Sequence, residues 1–372
     1  MLRQAPRWIL LCVAALAMLN VSCTYDIEAG VSGPVATESR TLERTFPADV
    51  RLANLAGTVE IVEGSGSEVR VTAEIHAKGD SDSETQELLE GMDWIEYRTK
   101  KGVDLWALSY PVDEHRKFSY PRKGMGLLRY GSSSSYYLGK KVTVTRKPSG
   151  APVLYAHLTI EVPSGADVGM RNLVGGIEVE SLQASHDLDT GSGDVTLADL
   201  EGDLMVDTGS GNVSTGSVDG DVGIDTGSGD VEIAAVRGGE LEVDTGSGNV
   251  QVSSGRVRSV MIDTGSGNIR VEDFDAEEMD FDTGSGNITV DSPLDWARKV
   301  VADTGSGNVT ILGDAEASFK IRSDQGSGNL TIGYRDAELI KSGRELVGAE
   351  RGDQHTRIDV DTGSGNVRLS PR

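Results

Sequence analysis

The pentapeptide Asp-Thr-Gly-Ser-Gly begins at Asp189, Asp207, Asp225, Asp244, Asp263, Asp282, Asp303 and Asp361, with the variant Asp-Gln-Gly-Ser-Gly at Asp324. Along the chain the starts are separated by 18, 18, 19, 19, 19, 21, 21 and 37 residues. A near-constant interval of this size marks a repeat architecture, one structural coil per copy, and the last interval leaves room for an insertion after Gly333. Degenerate copies without the Asp stand earlier, at Asn54 to Val59 and Asn172 to Ile177.

Apolar residues flank each turn with a period of two: Leu241 and Val243 before one, Val250 and Val252 after it, then Val260 and Ile262, Ile269 and Val271. That is the pattern of strands with one buried face. A single coil cannot bury such a face. Stacked at about 4.8 Å, equivalent strands pair every backbone amide with the coil above or below and close an aliphatic core. Composition agrees, with 47 Gly against 10 Pro and 5% aromatic residues. The expected fold is all-β: a parallel β-solenoid (β-helix) with short 18–21-residue coils, capped by a small α+β N-terminal part. Gly in the corners is expected to supply positive φ, Asp to accept bonds from corner amides as an Asx-turn does, and Asn, Thr and Ser to form ladders between coils.

Residues 1–22 carry Arg3 and Arg7, an apolar run from Trp8 to Leu19 and a small-polar end at Ser22, the layout of a secretory signal. The run is too short to span a bilayer. Cys23 follows Leu19-Asn20-Val21-Ser22, a sequence that resembles a bacterial lipobox although Leu stands one place too early; lipidation of Cys23 is the expectation. Thr24 after it favours outer-membrane delivery in a Gram-negative host. Cys12 is the one other cysteine, so a processed chain has no intrachain disulfide. Residues 23–44 read as a polar tether, 45–165 as the cap and 166–372 as the solenoid. Within the cap, Leu88, Leu89, Met92 and Ile95 fall at helical spacing between Asp82 and Glu96, and strands are expected at 103–109 and 154–162. Residues 334–357, with Leu339, Ile340, Leu346 and Val347, read as a helical insertion.

The net charge of -24 argues against nucleic acid as a partner. One stretch opposes it: residues 113–148 hold Arg116, Lys117, Arg122, Lys123, Lys140 and Lys141 among Tyr120, Tyr130, Tyr136 and Tyr137. This is either a mobile surface insertion whose cations are solvated or paired with the acidic solenoid, or a contact for an anionic glycan or lipid. On the solenoid, carboxylates about 5 Å apart repel by about 0.8 kcal/mol even in water. Added divalent salt or mild acid is therefore expected to raise stability.

Asp-Thr-Gly-Ser also surrounds the catalytic Asp of aspartic proteases, where two carboxylates must face each other and share a proton. Eight copies at coil spacing form a column and single out no such pair. The Gly-rich repeats resemble the calcium-binding nonapeptide β-roll, but Asn mostly follows the last Gly and the Gly-Gly-x-Gly-x-Asp pattern is missing. No specific metal site or cofactor is expected, loose Ca2+ uptake by the Asp column being the most the turns imply. The five His are scattered and no nucleophile elbow or phosphate loop is present.

Through its serial DTGSGNV-type copies, from about Phe46 to Leu369, the sequence resembles an adhesin family of bacterial surface proteins. The resemblance implies a β-solenoid at the cell envelope and carries over no catalytic residue. The expected function is a non-enzymatic, lipid-anchored envelope protein with an adhesin-like or scaffold surface for a glycan, lipid or protein. The alternatives are an envelope stress-sensing or assembly factor acting through a protein partner and, more remotely, a polysaccharide-active β-helix enzyme.

Overall fold

The computed structural model describes residues 37–100, 102, 104–121, 132–146, 150–353 and 355–372. The signal segment, Cys23, Arg122 and Lys123 lie outside the described residues.

Each repeat forms one coil of parallel strands. In the strand Gly255–Thr264 the buried side chains are Val257, Val260, Ile262 and Thr264. The three-residue step from Val257 to Val260 breaks the alternation. Ile269–Val271 completes the coil, burying Ile269 and Val271, and Phe274–Thr283 opens the next, with Phe274 paired to Gly255 and Ala276 to Val257. Neighbouring coils pair in register: Leu241 with Val260, Val260 with Met279, Met279 with Val300. Equivalent apolar side chains therefore stack on one another, each full burial contributing roughly 1.5–3 kcal/mol.

The corner glycines have a different role from the one the turns suggest. Of those in the nine copies only Gly326 lies in the left-handed region. The others are required because coils touch there. A Cβ on Gly229 would stand 1.7 Å from the Gly211 carbonyl oxygen, and one on Gly227 2.5 Å from that of Gly209. Only a residue without a side chain lets the backbones approach this closely.

The Thr of each copy faces inward. Thr226, Thr245, Thr264, Thr283, Thr304 and Thr362 are fully buried. Thr264 Oγ1 donates to the Gly248 carbonyl of the preceding coil at 2.9 Å and accepts from the Gly267 amide of its own corner at 3.0 Å. The corner amide is thus capped by Thr, where the Asx-turn expectation had assigned it to Asp. Asn54 and Asn172 take the Thr place in the first two coils, and Asn54 Nδ2 donates to Asn172 Oδ1 at 3.2 Å. Gln325 takes it in the variant copy, and its Nε2 donates to the Leu346 carbonyl at 2.8 Å.

Stacking order departs from chain order at both ends. The first coil is Val50–Ala56 and Val59–Gly64, and it pairs directly with Asp167–Val174 and Ile177–Val179. The residues between fold out as the cap. Val153–Pro163 runs parallel to Val59–Gly64 and antiparallel to Val69–Lys78. At the far end, Thr356–Thr362 lies between Lys299–Thr304 and Phe319–Asp324, and Val367–Pro371 lies between Val309–Gly313 and Leu330–Ile332. The last coil in sequence is the last but one in space.

Three local expectations are corrected. Residues 334–357 are not helical: Glu338–Ser342 and Glu345–Arg351 form an antiparallel hairpin, and the second strand covers Phe319–Asp324. The edge of the last coil needs backbone partners, which a strand supplies and a helix cannot. The tether is shorter than expected, because Glu38–Phe46 pairs antiparallel with Val69–Lys78 and satisfies that strand's edge despite its polar side chains. The helix is Asp82–Glu90, N-capped by Ser81 Oγ, which accepts from the Glu84 amide at 3.1 Å. It ends at Gly91, and Trp94–Arg98 pairs with Asp104–Leu108 as a hairpin.

Candidate functional site

The outward side chains of the coils make columns. Asp189, Asp207, Asp225, Asp244, Asp263, Asp282 and Asp303 are in register, then Asp361 stands beside Asp303 and Asp324 beside Asp361. All but the half-buried Asp189 are exposed. Partial burial, reinforced by the neighbouring carboxylates, holds Asp225, Asp282 and Asp303 above the usual carboxylate range. Burial also raises Asp189, against the Arg171 guanidinium, whose Nε lies 3.2 Å from its carboxylate and closes the column. The chain folds this way locally because the residue before each inward Thr must point out.

A second column follows the corner. Asn268 directs its amide and Nδ2 to Asn249 Oδ1 at 3.0 and 2.9 Å, and Asn287 does the same to Asn268 at 3.0 and 3.1 Å. Asn308 and Asn366 continue the ladder. The Asn ladder expected from the repeats is therefore present and exposed.

Among the described residues the basic side chains do not gather into one patch. Arg116 and Lys140 converge on Asp113 at 3.6 and 2.8 Å, and the Lys140 hydrogen bond holds the Asp113 carboxyl below its ordinary value. Lys141 stands opposite Tyr136 in the hairpin formed by Ser132–Tyr137 and Lys140–Thr145, while Lys117 pairs with Thr143. Among the described residues no three His, Cys, Asp or Glu side chains come together as a metal site, and no helix is long and apolar enough to cross a membrane.

Sequence reasoning missed a recess of about 270 Å³ between the Leu138–Gly139 hairpin tip and the Trp94–Arg98 hairpin. Tyr97, Tyr136, Tyr137 and Leu105 wall it, and Lys100 and Arg171 stand at it. The Tyr137 hydroxyl is 2.6 Å from the Leu108 carbonyl and 3.1 Å from that of Ala53, which fixes its ring. Leu138 and Gly139 both have positive φ, at 48° and 74°, as a tight two-residue hairpin turn requires. The sequence signal was Tyr137-Leu138-Gly139-Lys140 between alternating residues. Its partner wall lies some forty positions earlier, which no local pattern reveals.

These features define a nearly all-β, mostly parallel solenoid with polar columns on its exterior. Residues 156–370 match the profile described as Toastrack DUF4097, and the chain belongs to that family. No curated protein matches the sequence. Among solved structures, a candidate cell adhesion protein from Clostridium sporogenes is 11% identical over 90% of this chain and 100% of its own, with a TM-score of 0.19. A candidate lipid binding protein from Parabacteroides distasonis is 10% identical over 89% of this chain and 96% of its own, with a TM-score of 0.38. A candidate adhesin from Bacteroides fragilis is 12% identical over 89% and 97%, with a TM-score of 0.35.

Proposed function

We propose that this protein is a non-enzymatic component of the cell envelope, exported and lipid-anchored at Cys23, whose solenoid exterior binds an envelope glycan or protein partner. The observation that carries the reading is the register of the Asp column and the Asn ladder, which repeat the same groups coil after coil. Chemistry at a reaction centre needs one unique juxtaposition of groups. A row of equivalent weak contacts instead suits an extended partner, because linked contacts multiply into avidity.

The test is cosedimentation of the full-length protein with isolated envelope fragments. Alanine substitutions at Asn249, Asn268, Asn287 and Asn308, added one at a time, are expected to weaken binding progressively. Unchanged cosedimentation of the fourfold variant would sink the reading. Loss only on deleting residues 113–148 would favour a partner-specific sensor. Mass and detergent partition of a Cys23→Ala variant read the anchor separately.

A further inference from the structure

The recess at the cap has features that the repetitive faces do not share. It places flat phenol rings beside two cations on a chain of net charge -24. Its walls are preorganised: the Tyr137 hydroxyl is held by two carbonyls, and the hairpin tip is held in a left-handed turn. Arg171 is positioned by Asp189 at 3.2 Å, yet its side chain keeps 44% of its exposure. Tyr136 is 62% exposed, so its ring is open to a ligand at the mouth of the recess. At about 270 Å³ the recess is near the lower end of small-ligand sites, which run from roughly 300 to 1,000 Å³. It therefore has room for a single ring and not for a folded partner.

A ligand that uses all of these groups has one apolar ring face and one anionic group on its rim. We infer that the recess binds a uronic-acid residue of an acidic glycan, with the sugar ring against Tyr136 and its carboxylate at Lys100 and Arg171. This deepens the proposed envelope-binding function and rests on it: the neutral Asn ladder would hold an extended, largely uncharged partner, while the recess selects an occasional acidic sugar within it. A ring carboxylate of other origin shares part of this chemistry, so an aromatic acid serves as the discriminating control.

The experiment is calorimetric titration of the full-length protein with sodium digalacturonate, neutral galactobiose and phenylacetate, together with Tyr136→Ala and Lys100→Met. Both substituted side chains are exposed, so the fold is expected to persist and is checked by circular dichroism. Digalacturonate is expected to bind and galactobiose to give no measurable heat. Each substitution is expected to weaken binding by about tenfold, the scale of one charge-assisted or ring contact. Absence of digalacturonate binding, equal binding of phenylacetate, or variants that bind like the wild type would each overturn the assignment. If digalacturonate fails while cosedimentation with envelope fragments persists, only this inference falls. If both fail, the underlying reading falls with it.

Discussion

Gly267 packs so closely on Gly248 that a Cβ added to it would stand 1.7 Å from the Gly248 carbonyl oxygen. Gly267→Ala must therefore push two coils apart, and we expect a loss of at least about 3 kcal/mol or failure to fold, at the upper end of overpacking costs. Gly165 supplies the contrast. It has φ of +80° and nothing within 4 Å, so Gly165→Ala should cost only the left-handed strain of about 1–2 kcal/mol. Urea unfolding of the two variants separates close approach from backbone strain as the reason for glycine, and equal losses would contradict the ordering.

Thr264→Val keeps the shape of a buried side chain and removes its hydroxyl. The Gly248 carbonyl and the Gly267 amide then lose partners at 2.9 and 3.0 Å. A loss of about 1–3 kcal/mol per stranded group is expected, with Thr264→Ser recovering a large part of it. Denaturant midpoints of the two variants check this, and a neutral Thr264→Val would show that the polar column is incidental.

How far the sequence foretold these arrangements depends on the range of the interaction. Periodicity exposed Val260, Ile262, Ile269 and Val271 as inward residues because alternation is local. Thr264 continues that alternation, but its type hid it: a buried hydroxyl is expected only once the Gly248 carbonyl of another coil is seen to receive it. The Leu339 to Val347 spacing suggested a helix, and the need of Phe319–Asp324 for an edge partner overrode it. For Arg116 and Lys140 the sequence left open solvation, pairing with the acidic solenoid or an anionic contact, and the fold pairs both with Asp113 of their own stretch instead.

Acidification sets opposing groups against each other. Asp275 is pushed up to about 6 by burial and by Asp295, and burial with like charge also raises Asp282 and Asp303. The folded state binds these protons more tightly than the unfolded chain, so it gains stability as pH falls from about 6 towards 3.8. His186 does the reverse. Burial lowers it from 6.5 to about 4, so the unfolded chain takes the proton first and stability is lost across that window. We expect a flat melting profile between pH 6 and 4 for the wild type and, for His186→Leu, a melting temperature that climbs on acidification. A falling profile in His186→Leu would refute the raised carboxylates.

Deleting residues 352–372 should harm more than its length implies. Thr356–Thr362 and Val367–Pro371 separate two pairs of strands that touch each other through nothing else in the ladder. Hydrogen exchange is expected to show a partial loss of protection in Lys299–Thr304 and Val309–Gly313, which keep their pairing to Phe274–Thr283 and Ile288–Asp291, and a larger loss in Phe319–Asp324 and Leu330–Ile332. Retained protection in the last two would mean that they close directly on the earlier coils.

That wedged final coil fixes when this end of the molecule can be completed. The slot stays empty until residues 356–371 have been synthesised, so the earlier-made coil of Phe319–Asp324 and Leu330–Ile332 has no neighbour in the stack until then. Repeats can be gained or lost in the middle of the array, where chain order and stacking order coincide. Around Thr356–Thr362 and Val367–Pro371 the count is locked, because removing that coil opens a gap inside the stack instead of shortening it.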